Sequence, residues 1–314
     1  MQHTAFSEPG RFWRGNLHTH STASDGVLEP REVCRRYEEA GYDFLCLSDH
    51  FIGRFGYPVT DTTEFRTNRF TTIPGAEVHS GRLSNGELWH LLAVGLPHDF
   101  EPPHAPDFAP GDGQETGGAL ARRCAEAGAF VAVAHPEWYG LTPDDARTIE
   151  AAHAVEIYNH GCAVGSDRGS GLAVWDVLLN EGKRLSGCAT DDAHFAGPDH
   201  FGGWVMVKAP ANEPGALVAA LRAGAYYAST GPEIRDFRVE GDRVVVECSP
   251  AANVIAMGPR SASVAVHGRA MTRAELPLGA VLERAGGEAS GAYLRVAVQD
   301  AAGGRAWSNP LWLG

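Results

Sequence analysis

From residue 12 to about residue 230, short and nearly unbroken apolar runs alternate with longer segments whose apolar residues recur every three or four positions. The runs predict strands at 13–18, 43–48, 72–77, 89–95, 130–135, 154–158, 184–189 and 204–208. Phe44-Leu45-Cys46-Leu47 and Phe130-Val131-Ala132-Val133 have no polar alternate, which suits parallel strands buried on both faces. Between the runs, a helix opens at Pro30 and ends at Gly41, with Val33, Tyr37 and Ala40 on one face. A second spans Thr116 to Ala127, with Leu120, Cys124 and Ala127 spaced for burial and Gly128 as its stop. Others span Leu172–Asn180 and Pro214–Ala223. Strand–helix alternation predicts an α/β fold with a mostly parallel sheet. The Pro-, Gly- and acid-rich stretch His98 to Gly118 reads as a long loop or lid.

After Thr230-Gly231-Pro232 the pattern changes. Short β-branched runs such as Val244-Val245-Val246, Ser263-Val264-Ala265-Val266 and Tyr293 to Val298 are punctuated by Gly, Asn and Asp, and no helical period stands out. Two domains are predicted: 1–230 and a small all-β, sandwich-like domain at 231–314.

Most of the predicted strands of the first region end in, contain or lead into a histidine or carboxylate. His18-Thr19-His20 follows the first, with Asp25-Gly26 just beyond. Asp49-His50 follows the second and Glu77 closes the third. His90 lies in Leu88-Trp89-His90-Leu91-Leu92, His135-Pro136 follows Ala134, and Asp192-Ala193-His194 follows Thr190. Residues two apart on a strand share a face, so the paired imidazoles can grip one cation. A multi-metal hydrolytic site needs imidazoles, a bridging carboxylate and open positions. The candidate ligands are His18, His20, Asp25, His50, Glu77, His90, His135, Asp192 and His194, with Glu77 at the centre. The set lacks thiolates, which favours divalent ions of the Mn, Fe or Zn kind.

Composition narrows the partners. A net charge of −13 argues against long nucleic acid. No apolar run approaches a membrane helix, and Met1–Pro9 lacks a signal-peptide pattern. Six cysteines occur without a C-x-x-C pair, so neither a thiolate zinc site nor a disulfide framework is predicted. The expected setting is the cytoplasm.

His18-Thr19-His20-Ser21 with Ser24-Asp25-Gly26, Ser48-Asp49-His50, Pro74-Gly75-Ala76-Glu77, His90, His135-Pro136 and Asp192-Ala193-His194 resemble the polymerase and histidinol phosphatase (PHP) superfamily over residues 12–230. The tail ending in Trp307-Ser308-Asn309-Pro310-Leu311-Trp312 resembles a stand-alone branch that includes a carbaryl-hydrolase-like group. The resemblance implies a distorted (β/α)7 TIM-like barrel and up to three metals. It would place one ion among His18, His20, Glu77 and Asp192, a second among Glu77, His90 and His135, and a third among Asp25, His50 and His194.

The expected reaction is phosphoester hydrolysis: a water held between two ions deprotonates near neutral pH and attacks phosphorus in line. The expected substrate is small and anionic, extending to a nucleotide or short oligonucleotide. Asp192 and His194 count as catalytic as well as ligands, and His160 is the candidate for substrate contact or acid catalysis. Arg168, Arg184, Lys183 and Arg54 are candidate phosphate anchors. His79, two residues from Glu77, is a further candidate ligand or ligand partner, and Asn159 should face the mouth. His3, His98, His104, His153 and His200 read as surface or loop. A carbamate, ester or amide hydrolase on the same metals is one alternative, and a non-catalytic, metal-stabilised binding module is another.

Overall fold

The computed structural model describes residues 5–287 and 291–313; His3 lies outside them. The first region comprises β1 (Arg11–Asn16), α1 (Pro30–Glu39), β2 (Phe44–Leu47), the two-residue β3 (His50–Phe51), β4 (Thr71–Val78), β5 (Leu91–Val94), α2 (Gly117–Glu126), β6 (Phe130–Val133), α3 (Pro143–Arg147), β7 (Ala154–Asn159), α4 (His160–Ser166), α5 (Leu172–Asn180), β8 (Ser186–Thr190), β9 (Trp204–Ala209), α6 (Pro214–Arg222) and β10 (Tyr226–Ser229). The tail adds β11 (Ile234–Glu240), β12 (Arg243–Met257), β13 (Ser263–Pro277), α7 (Leu278–Ala285), β14 (Tyr293–Gln299), β15 (Arg305–Ser308) and β16 (Leu311–Trp312).

The strands run in the order β9-β1-β2-β4-β5-β6-β7-β8, and strand alternation sorts their side chains into two layers. In β2, Phe44 and Cys46 join an inner cluster with Leu17, Ile73, Phe130 and Val205. Leu45 and Leu47 point the other way, onto Val33 and Tyr37 of α1. Gly15 is required beside Phe44, because a Cβ there would lie 2.1 Å from the ring. Helices α2 and α5 cover the outer face of the β5–β7 side, through Leu120, Cys124, Trp175 and Leu178. Leu217 and Leu221 of α6 join the inner cluster.

The sheet is not closed, so the expected barrel gives way to an open, curled α/β sheet. Strand β9 pairs antiparallel with β1 on one side and with β10 on the other, so no edge is left for β8. The edge of β8 is instead met by a side chain: Gly187 N donates to Asn309 Oδ1 at 2.8 Å, and Asn309 Nδ2 donates to Gly224 O and Tyr226 O. The sheet is also less parallel than expected. Strand β5 runs antiparallel to both β4 and β6, and its four fully buried residues look the same in sequence whichever way the strand runs.

The tail continues the sheet of the first region. Its β15 pairs with β10, so the order continues β10-β15-β14-β12-β11, and one sheet runs through all sixteen strands. The run Val244-Val245-Val246 and the later Val254-Ile255-Ala256 belong to one strand, β12, irregular between Glu247 and Ala251. Pro250 sits there and has no amide proton for the ladder. Helix α7 adds a helical segment to a region expected to be all β. Arg295, 4% exposed, joins the tail to α5 through Asp176 at 2.6 Å and lies over the Trp175 ring. No helix of the described residues is long and apolar enough to cross a membrane, and all six cysteines are free and buried.

Candidate metal centre

All nine candidate ligands converge at one end of the sheet, around a buried carboxylate. Glu77 closes the buried strand β4 and is 0% exposed. Its Oε1 lies 2.7 Å from His90 Nδ1 and 3.1 Å from His135 Nε2. Its Oε2 lies 2.8 Å from His50 Nδ1, 3.3 Å from His18 Nε2 and 3.5 Å from His20 Nε2. Asp192 Oδ1 lies 3.1 Å from both His18 Nε2 and His20 Nε2. On the exposed side, Asp25 reaches His194 Nε2 at 3.3 Å and His50 Nε2 at 3.4 Å.

These contacts make four overlapping groups that can each hold an ion: His18, His20 and Asp192; His18, Glu77 and His135; His20, Asp25, His50 and His194; and His50, Glu77 and His79. Donor atoms 3–4 Å apart suit ligands sharing an ion at about 2.0–2.2 Å. His18 Nε2 and Glu77 Oε2 are buried without a hydrogen-bond partner, as is His135 Nδ1. Orphaned buried polar atoms facing one another are costly in a core, and shared cations would satisfy the facing pair. The residues therefore fit divalent metal.

Charge in the cluster is strongly coupled. Burial works against the ionised forms of Glu77 and Asp192, but the surrounding histidines outweigh it and hold both well below the usual carboxylate range. Burial, His194 and His50 push His20 down to about 3. His50 and His194 are raised to about 10 and 9, because Glu77 and Asp25 for the first, and Asp25 and Asp192 for the second, outweigh their burial.

The residues that aim these ligands lie one layer out. Glu156 of β7 is fully buried. Its Oε1 accepts from His18 Nδ1 at 3.0 Å and from the Thr190 hydroxyl, and its Oε2 accepts from His135 N at 2.6 Å and Asn159 Nδ2 at 2.9 Å. A carboxylate on Nδ1 fixes the tautomer and turns the Nε2 lone pair toward the cluster. Asn159 also donates to Asp192 Oδ2 at 3.1 Å. Asp49 accepts from Ser21 N at 2.7 Å and from the hydroxyls of Ser21 and Ser24, which shapes the loop carrying Asp25. Asp191 accepts from Tyr37 and from the amides of Phe201, Gly202 and Gly203. His135 and Asp192 have φ of 23° and 57°, a left-handed conformation uncommon outside glycine. His79 is fully buried, donates from Nδ1 to Trp89 O and presents Nε2 to His50 Nδ1 at 2.9 Å.

The expected substrate residues lie elsewhere. Both nitrogens of His160 are engaged, Nδ1 with Tyr158 OH and Nε2 with Pro198 O, each at 3.0 Å. Its ring packs behind Gly202 and does not line the mouth. Arg168 is exposed outside the cavity. Arg184 lies over Trp312 in a different pocket, and Lys183 likewise stays off the mouth. Arg54 faces Asp107 at 3.6 Å. Strand-end position marks residues that face a mouth; it says nothing about which turns between elements do.

Sequence reasoning assigned no role to Glu156, Asp49, Asp191, Trp138 or Phe108. A carboxylate inside the apolar run Ala154-Val155-Glu156-Ile157 was the available signal for the first. Asp49 and Asp191 each stand next to a ligand.

Comparison with solved structures supplies the context. The chain matches a two-domain protein from Bacteroides vulgatus, which contains a predicted PHP-like metal-dependent phosphoesterase, with a TM-score of 0.51 and 16% identity. The match covers 86% of this chain and 88% of that one.

The fold is PHP-like.

A protein described as a metal-dependent phosphoesterase from Bifidobacterium adolescentis matches with a TM-score of 0.42 and 12% identity over 57% of this chain and 87% of its own. An amidohydrolase from Chromobacterium violaceum, with bound sulfate and no metal, matches with a TM-score of 0.40 and 14% identity over the same shares. No family model and no curated protein matches the chain. Within the PHP-like fold, the nine clustered residues occupy the strand ends and the loops just beyond them.

Proposed function

We propose that this chain is a metal-dependent hydrolase of a small phosphate ester, using two or three divalent ions of the Mn, Fe or Zn kind. One observation carries the proposal: a single buried carboxylate, Glu77, has five imidazole nitrogens within 3.5 Å of its two oxygens. Such a cluster is a poor way to fill a core and a good way to hold several cations. Bound there, divalent ions lower the pKa of coordinated water from about 15.7 toward roughly 7 and polarise a phosphoryl or carbonyl oxygen.

The chain's own groups orient and screen. Glu156 holds the Nδ1 proton of His18, and Asn159 ties down one oxygen of Asp192 so that the other faces His18 and His20. Buried His18, His20 and Glu77 exclude bulk water, while exposed Asp25 and half-buried His194 mark the open side. The phosphoester class rests on the PHP-like fold and on the all-imidazole and carboxylate donor set. An ester, carbamate or amide substrate is a second reading, favoured by a cavity beside the cluster that no Lys or Arg lines among the described residues. The buried free cysteines suit the cytoplasm, where we place the protein.

Asp192→Asn tests the mechanism. With 4-nitrophenyl phosphate, a nucleotide bisphosphate and an aryl carbamate as parallel substrates, the variant should stay folded and lose at least about 100-fold in kcat/KM. Full turnover in the variant refutes the mechanism, and activity on the carbamate alone moves the assignment to the second reading.

A further inference from the structure

We propose that the substrate carries an apolar aromatic group beside the scissile bond and no second anionic group, so that nucleotides and oligonucleotides are poor ligands of this site. The inference rests on the hydrolase reading above and narrows its substrate class.

Charge comes first. The cavity at the cluster has a volume of about 750 Å³, ample for a small-molecule ligand. Among the described residues its lining includes the carboxylates Asp25, Glu77, Glu87, Asp192 and Asp199, and no Lys or Arg. Two or three divalent ions would bring those five negative charges to about neutrality. One phosphoryl or carboxyl group can then sit at the ions, but no cation remains to receive another. Polyphosphates depend on Arg or Lys donors, and here they would meet Glu87 and Asp199.

The apolar surface comes second and is independent of the charge. Among the described residues, only Val27, Trp138 and Val164 are large hydrophobics left well exposed, at 58%, 42% and 48%. Two of them line this mouth and the backbone of the third is tied to it. Trp138 and Val164 line the cavity, and Val27 donates its amide to His194 O at 2.9 Å. Apolar surface concentrated at one concave place marks a contact site. Aromatic rings flank the ligands on two sides. Trp138 meets His135 and His90 edge-on at centroid distances of 5.1 and 5.7 Å. Phe108, from the Pro-rich loop, meets His50 at 4.8 Å and 89°. A planar ring can stack or sit edge-on between such partners, next to a group held at the ions.

The experiment is calorimetric binding to the Mn-loaded full chain, using non-hydrolysable probes in two chemistries: phenylphosphonate against methylphosphonate, and benzoate against acetate, with ADP as the polyanion. The ring should tighten binding about tenfold or more in at least one pair, and ADP should bind more weakly than the better aromatic probe. Trp138→Ala should bring the aromatic preference toward one. Val164→Ala, at an exposed helix position, should reduce it several-fold, and Val164→Lys should strengthen ADP. If benzoate outbinds acetate while neither phosphonate binds, the phosphoester reading falls and the aromatic preference stands. A ring that adds nothing in either pair, no binding by any probe, or ADP as the tightest ligand overturns the inference.

Discussion

Around Glu77, five imidazoles and Asp192 sit almost out of reach of water, held by hydrogen bonds from a surrounding shell that is itself buried. On the outer face of β11, β12 and β13, the same chemistry is laid out in the open. Arg238 contacts Asp236 and Glu240, while Arg273 contacts Glu247 and Glu275. Exposed pairs of this kind contribute little to stability and keep a sheet edge soluble and unpaired. Buried charge at the mouth works the other way. It costs desolvation that hydrophobic residues would not, and it leaves polar atoms without partners. The fold concentrates it at one rim, where His18 Nε2, Glu77 Oε2 and His135 Nδ1 all lack partners, which locates the chemistry. The tail's core, with Val244, Val246, Val254, Val296 and Val298, shows what the chain builds where only packing is required.

The sharpest way to break this contrast is to disarm the mouth without touching a ligand. Glu156→Gln keeps the shape but replaces one acceptor oxygen with a donor, where Glu156 now accepts from His18, Thr190, Asn159 and the His135 amide. Manganese affinity by titration calorimetry should fall about 10–100-fold, with a nearly parent-like circular dichroism spectrum. Unchanged affinity would mean that the shell is only scaffolding.

The candidate ligands were legible because strand ends bring sequence-distant residues to one rim, and each carried a His or carboxylate at that position. Eight of the ten strands and four of the six helices of the first region were legible from the hydrophobic pattern and its Pro and Gly stops; the short β3, β10, α3 and α4 were not. Strand direction was not: buried β5 has no polar face to reveal that it runs antiparallel. Barrel closure was equally hidden, since it turns on β9 using both edges and on the single side chain of Asn309. Helix α7 escaped because it is short and follows directly on the long strand β13. The lining of the cavity was the least legible. Basic residues near strand ends looked like phosphate anchors, whereas Trp138 and Phe108 sit in turns whose path depends on tertiary packing.

Asn309 offers the next test, at the junction rather than the mouth. Asn309→Ala removes one acceptor and two donor contacts that tie β8 to β10, and leaves partly buried backbone groups to find water. The loss should be about 1–3 kcal/mol by urea unfolding, with metal affinity preserved. A fall in metal affinity as large as that of Glu156→Gln would show that the junction and the mouth form one cooperative unit.

His153, at the start of β7 and away from the mouth, gives a smaller effect with a defined sign. Its Nδ1 accepts from Val131 N at 3.1 Å, which a proton on that nitrogen would abolish. Burial, and then the charge of Arg222, hold its pKa below the ordinary histidine value. A depressed folded pKa contributes stability that is complete above the unfolded value of about 6.5 and is lost as pH falls below it. His153→Gln should therefore flatten part of the stability loss between about pH 6.5 and 5, read as the difference between parent and variant in metal-free protein so that acid release of metal does not mask it. An unchanged slope would remove His153 from the account of acid sensitivity.

The smallest expected change is on the outer face of the tail. Arg273 reaches Glu247 at 3.1 Å and Glu275 at 2.9 Å, and both partners are well exposed. Solvent screens each attraction, and ordering long side chains offsets much of it. Arg273→Ala should shift the melting temperature by no more than about 1 °C, with no dependence on salt beyond that of the parent. A shift of several degrees would mean that this charged face is energetically tight, and the contrast between rim and tail would then lie in solvent exposure alone.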